Sequence, residues 1–155
     1  MKKDKKQKVT PLLKKTYITT IENSIGSKMF CNLYAKVNGK NIDITRGGDL
    51  SCAVFVSSIL FLFKLIKERH ATVSSTIKDL KQSGWIEIEK PKIGCVLVWE
   101  EKKFKSGEKH KHIGFYIGKE KAISNNTKLK YPTKHMWDKF DRRKVELILW
   151  NLKLK

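Results

Sequence analysis

The stretch His112-Ile113-Gly114-Phe115-Tyr116-Ile117-Gly118 sets Ile113, Phe115 and Ile117 on one side of an extended chain and His112, Gly114, Tyr116 and Gly118 on the other. A period of two predicts a β-strand with its odd face toward the core. Upstream, Gly94-Cys95-Val96-Leu97-Val98-Trp99 is rich in β-branched and aromatic residues and predicts a second strand, with a shorter one from Trp85 to Glu89 ending before Pro91. Downstream, a turn through Lys119, Glu120 and Lys121 leads into a strand at Ala122-Ile123-Ser124-Asn125, and Val145 to Leu152 predicts the last strand. The polar stretch Lys102 to Lys111, which contains Gly107, reads as an exposed loop.

Before residue 85 the period is helical. Pro11 opens a helix running to about Ser24, with Leu12, Leu13, Tyr17, Ile18 and Ile21 as its apolar stripe. Met29 to Ile44 is irregular, with a hairpin signal at Asn38-Gly39, and Arg46-Gly47-Gly48-Asp49 reads as a loop. The chain then becomes strongly apolar from Cys52 through Ile66; its uncharged part, Leu50 to Phe63, is too short to cross a membrane and predicts a buried helix. Thr72 is the expected N-cap of a further helix, Val73 to Gln82, and Gly84 its stop. Helices followed by antiparallel strands make the expected class α+β.

At 155 residues the chain predicts one domain, residues 11–155, behind a flexible basic tail at residues 1–10 that carries Lys2, Lys3, Lys5, Lys6 and Lys8. Lysine and arginine number 34 against 15 acids, a net charge of +19 that attracts polyanions in general. With 40% hydrophobic residues the chain can build a core, which excludes a wholly disordered basic protein, and three cysteines exclude a disulfide scaffold. Neither zinc-finger spacing nor an RNP-like strand is present, so nucleic-acid binding rests on composition. Lys14 and Lys15 interrupt the chain where the apolar part of a secretion signal would follow; the expectation is a cytoplasmic location, or release by lysis or non-classical export.

Cys52 stands where a glycine-containing loop meets the buried helix, and the unpaired amides of a helix start stabilise a thiolate. The alternative is a small apolar residue in the first turn. His112, with Gly114 leaving room beside it on the same strand face, is the candidate base; His110 shares its parity but lies among lysines, and His70 and His135 sit in polar surroundings. Cys31 and Cys95 read as structural, and neither has a cysteine partner at metal-binding spacing, so neither a metal nor a cofactor is expected.

Three segments in this order carry a resemblance. Gly47-Gly48-Asp49-Leu50-Ser51-Cys52-Ala53-Val54-Phe55-Val56 resembles the nucleophile segment of NlpC-type and CHAP-type cysteine peptidases and amidases. Gly94 to Trp99 resembles their glycine-led hydrophobic strand, and His112 to Gly118 their base-bearing strand, so the resemblance spans roughly residues 45–127. It implies a papain-like fold with the cysteine helix packed on an antiparallel sheet, Cys52 as nucleophile and His112 as general base. It also implies peptidoglycan peptides as the substrate class. The third member, which orients the imidazole, falls on Ser124, Asn125 or Asn126.

A two-residue turn that pairs Gly118 with Lys121 sets Asn125 opposite Gly114 on the histidine face; a three-residue turn sets Ser124 there, opposite Tyr116. Asn125 is the expected residue, because an amide carbonyl is the better acceptor from an imidazole N–H. The resemblance departs at Ser51, where an aspartate is usual, with Asp49 displaced nearby. Tyr34 is a further candidate contact for substrate. The competing functions are a basic polyanion-binding module and a thiol-dependent acyltransferase.

Overall fold

The computed structural model describes residues 7–155, so Lys2, Lys3, Lys5 and Lys6 of the basic tail lie outside the described residues. Helix α1, Leu13–Asn23, starts two residues after Pro11 and buries Tyr17 and Ile21, which are one turn apart. The Tyr17 hydroxyl donates to the Gly94 carbonyl at 3.0 Å, tying α1 to the start of the sheet. A hairpin of β1, Tyr34–Val37, and β2, Lys40–Asp43, turns on Asn38 and Gly39, both with left-handed φ, as that pair predicts.

Helix α2, Cys52–Leu62, is apolar around most of its circumference and buries Ala53, Val54, Phe55, Val56, Ser57, Ile59 and Leu60. It ends at Leu62 and not near Ile66, because Lys64 turns left-handed at φ 54° and folds Leu65 and Ile66 back into the core. Helix α3, Val73–Gln82, starts on a Thr72 hydroxyl that accepts from the Ser75 N–H and stops before Gly84 at φ 84°. Buried Asp79 accepts from the Lys67 and Glu68 N–H groups, the Ser83 hydroxyl and His70 Nε2, and so clamps the connection between α2 and α3. No helix among the described residues is long and apolar enough to cross a membrane.

The remaining strands are β3, Ile86–Glu87; β4, Val96–Lys103; β5, Lys109–Gly118; β6, Lys121–Asn126; β7, Tyr131–Met136; and β8, Val145–Trp150. They form one antiparallel sheet in the order β3-β8-β4-β5-β6-β7, and with the preceding helices the fold is α+β. The expected long loop at Lys102 to Lys111 is largely a β-ribbon, since Lys102 pairs with His110 and Lys103 with Lys109. Ladder hydrogen bonds need no apolar side chains, so a charged ribbon extends the sheet without the alternation that reveals a strand. Strand β7 escapes the sequence reading for the same reason: Pro132 and Lys134 interrupt it, and it pairs as an edge strand, where proline is tolerated.

The odd face of β5 meets the helices. Phe115 packs edge-on against Tyr17 and Phe55, with ring centroids 5.9 and 5.5 Å apart. The even face is buried too, under Trp99, Phe140 and Trp137 instead of under helices. The turn between β5 and β6 has two residues, Lys119 and Glu120, both at left-handed φ, and pairs Gly118 with Lys121. A bulge at Ile117 then slips the ladder by one residue, so that Gly114 faces Ser124 and Asn125 falls on the helix side. The turn length and the residue facing His112 are thereby uncoupled, which the sequence argument had treated as linked.

Gly114 is required here by close approach. A Cβ at this position would lie 2.7 Å from both the Ile123 carbonyl oxygen and Ser124 Cβ, and 3.1 Å from the Trp99 ring. The space beside His112 is thus filled by Trp99 and Ser124, not open. Gly114→Ala is expected to cost about 1–3 kcal/mol through overpacking, read as a lower urea midpoint with an unchanged m-value; an unchanged midpoint contradicts this packing.

Candidate active site

Cys52 is presented by a loop held from three sides. The Asp43 carboxylate accepts from the Thr45 hydroxyl and from the N–H groups of Leu33, Thr45 and Gly47, and these bonds, Thr45 foremost, hold its pKa well below the usual carboxylate range. Gly48, at φ 107°, lies so close to Lys130 that a Cβ would come within 2.9 Å of the lysine Cβ. The Gly48 carbonyl accepts from Asn125 Nδ2 at 2.8 Å, and Asp49 pairs with Lys130. The loop therefore delivers the first turn of α2 to the end of β5 with little freedom.

The Cys52 thiol is half-buried, and burial pushes its pKa up. Opposing that, in order of effect, are the N–H groups of Ile113 and Ala53, the Arg143 charge and its own N–H. The Ile113 amide places the sulfur against β5 one residue from His112. Both residues line one cavity of about 330 Å³, together with Ala53, His110, Lys111 and Arg143.

His112 is buried beneath Phe140, their rings stacked at 4.0 Å with 3° between planes, and Trp99 lies 5.5 Å away. Its Nε2 is buried without a hydrogen-bond partner among the described residues. Burial, then the Arg143 charge, then His135 hold its pKa well below the ordinary histidine value, so the ring is neutral at neutral pH.

None of the three residues considered for orienting His112 bonds to it. Asn125 is spent on the Gly48 carbonyl on the helix side of the sheet, and its Oδ1 has no partner among the described residues. Asn126 Oδ1 accepts from the Lys128 and Leu129 N–H groups and caps the turn after β6. Ser124 is on the His112 face, but its hydroxyl bonds His135 Nε2 at 2.7 Å. His135 Nδ1 lies 2.8 Å from the Met136 carbonyl, which requires a proton on that nitrogen and leaves Nε2 to accept from Ser124. Tyr34 is exposed on β1 and does not line the cavity.

Sequence reasoning missed Arg143 and Phe140, and it set His135 aside as a histidine in polar surroundings although it is held by Ser124 on the His112 face. Phe140 and Arg143 flank Asp141 and Arg142, both at left-handed φ of 50° and 63°, in a tight turn closed by the Arg143 N–H to the Phe140 carbonyl at 2.9 Å. That turn sets the two side chains next to one another over the site. No periodic or motif signal marks it; only the pair of unfavourable backbone conformations, visible in three dimensions, does. Cys31 donates to the Lys130 carbonyl, and Cys95 lies wholly within the core, its pKa pushed up to about 12 by burial. Among the described residues, no three His, Cys, Asp or Glu side chains converge to hold a metal ion. No protein-family model matches the chain, and no curated protein matches it.

The imidazoles of His112 and His135 are both held below the ordinary value of 6.5, chiefly by burial. As pH falls through 6.5 the unfolded chain takes up protons that the folded chain resists, so stability is full above that value and is lost below it. Each histidine adds a slope of at most about 1.4 kcal/mol per pH unit. His112→Leu is expected to flatten the acid limb of a plot of unfolding free energy against pH; an unchanged limb contradicts a buried neutral His112.

Proposed function

We propose that the protein is a cysteine-dependent amide hydrolase of papain-like architecture, allied to the NlpC-type and CHAP-type enzymes and acting on peptidoglycan peptides. The observation that carries this reading is that Cys52, in the first turn of α2, and His112, whose buried Nε2 has no hydrogen-bond partner among the described residues, line one small cavity. At rest the thiol and the imidazole are both neutral, since burial pushes the first pKa up and the second down. His112 then acts as a general base, taking the thiol proton as sulfur attacks the amide carbonyl. Burial, Arg143 and His135 all disfavour the imidazolium so formed, which drives the proton on to the leaving amine. Water hydrolyses the resulting thioester with His112 again as base. The Ile113, Ala53 and Cys52 N–H groups already face the sulfur, and those of Cys52 and Ala53, at the open start of α2, are the donors assigned to an oxyanion.

Stacking on Phe140 takes the place of a hydrogen-bonded third member in holding the imidazole plane. The usual aspartate position holds Ser51, buried with its hydroxyl unpartnered among the described residues, and Asp49 is engaged by Lys130, so peptide-amine recognition of the usual kind has no free carboxylate at these two positions. The net charge of +19 favours a second reading, a polyanion-binding module.

Defined peptidoglycan peptides incubated with the protein and followed by mass spectrometry separate these readings. Hydrolysis is expected, abolished in Cys52→Ala and reduced about 10²-fold or more in His112→Ala. Cleavage that survives Cys52→Ala, or salt-sensitive nucleic-acid binding with no cleavage of any amide, overturns the proposal, and acyl transfer to an added amine redirects it to a transferase. Phe140→Ala hydrates the imidazole, and the acid limb of kcat/KM is expected to move up toward pH 6.5.

A further inference from the structure

Arg143 is nine-tenths buried, with a relative exposure of 6%, yet no carboxylate closes a bidentate pair with it. Nη1 donates to the His110 carbonyl at 3.1 Å, and Nη2 stands 3.9 Å from Asp141 Oδ2. Nε is buried with no hydrogen-bond partner among the described residues. The guanidinium lies 5.7 Å from the Phe104 ring and 6.0 Å from the Phe140 ring, neighbours that offer no acceptor to its N–H donors. A buried guanidinium with an idle N–H is costly to maintain, and it lines the Cys52–His112 cavity.

The other cations at this cavity are engaged or exposed. Lys111 pairs with Glu146 and the nearby Lys130 with Asp49, while Lys109, whose 3.8 Å approach to Glu101 is no closer an engagement than that of Arg143 with Asp141, is exposed and leaves no buried donor idle. Arg143 is also held in place by the tight turn through Asp141 and Arg142, closed by its own N–H to the Phe140 carbonyl at 2.9 Å. The cavity, at about 330 Å³, is at the small end of ligand sites, near a lower bound of about 300 Å³. A small anionic group fits that volume and supplies the acceptor that the guanidinium lacks, and arginine suits planar carboxylates best.

We propose that Arg143 forms a carboxylate subsite beside Cys52, so that the substrate is an acidic peptide with a carboxylate close to the amide that is cleaved. This rests on Cys52 being the nucleophile. The charge of Arg143 reaches the sulfur, lowering the thiol pKa, and so a bound carboxylate sits within the field of the reacting centre. It also neutralises a cation that opposes protonation of His112, which makes the base stronger when the correct substrate is in place.

Two alkylating agents of nearly the same size test this on the intact chain. Iodoacetamide is neutral and iodoacetate carries the carboxylate; in each case the Cys52 sulfur forms the S–C bond and iodide leaves. Rates at Cys52, resolved by peptide mass, are compared with those of a free small thiol under the same conditions. The expected iodoacetate-to-iodoacetamide ratio at Cys52 exceeds the reference by about ten-fold or more. It falls to the reference in Arg143→Gln, is partly kept in Arg143→Lys and is unaffected by Lys111→Ala. In the unsubstituted protein, millimolar acetate protects Cys52 from iodoacetate more than from iodoacetamide, a readout that needs no folded variant. A ratio equal to the reference, with Cys52 labelled by iodoacetamide, overturns the subsite alone. A high ratio that survives Arg143→Gln in a folded variant assigns the preference to the general positive field and also overturns it. Failure of both reagents at Cys52 removes the nucleophile, and the hydrolase reading falls with it.

Discussion

Phe55 of α2 stands edge-on to Phe115 of β5, and Tyr17 of α1 closes on the same ring from another side. This aromatic corner is where the helical layer is seated on the sheet, and the rest of the arrangement follows from it. Helix α2 is buried on nearly every side, so it has no amphipathic freedom to rotate or slide. With Phe55 fixed over Phe115, the first turn of α2 comes to the part of β5 that begins at His112. A thiol there is brought to the Ile113 amide by packing three residues away, and the Ile113 N–H then holds it in place.

The two faces of the sheet serve different ends. Toward the helices lie Ile113, Phe115 and Ile123, a uniformly apolar set. On the other face, Trp99, His112, Ser124, His135 and Phe140 form a mixed aromatic and polar layer without a helix to cover it. Aromatic rings can bury a neutral imidazole through stacking while giving it no acceptor, and the low pKa of His112 is the direct result. Arg143, brought in by the turn after Phe140, adds a cation that stabilises a thiolate and opposes an imidazolium. The consequence is a thiol and an imidazole that are both uncharged at rest, rather than a standing ion pair.

Strand β5 and helix α3 were legible because each carries a clean periodic face, helix α2 because an uncharged apolar run too short to span a membrane must be buried, and Thr72 and Gly84 bound α3 by local chemistry alone. Strand β7 and the outer half of the β4–β5 ribbon were not legible, since charged residues there are held by ladder bonds that leave no hydrophobic pattern. The position of Asn125 shows a subtler limit. The two-residue turn was one of the registers the sequence allowed, but a bulge at Ile117 turned the next residues over and exchanged Ser124 for Asn125 on the histidine face. A single unpaired residue inverts the facing of everything beyond it, and no local preference at Ile117 announces that.

By itself, then, the sequence determined the α+β order of elements, the buried helix beginning at Cys52 and the inner part of β5 from His112 to Gly118, because hydrophobic period and glycine placement act over a few neighbouring residues. Only the tertiary structure decided that Ser124 is spent on His135, that Phe140 stacks on His112 and that Arg143 is buried beside the thiol. Those facts join residues distant along the chain through register, burial and charge, and such couplings depend on distance in space, which adjacency in sequence does not encode.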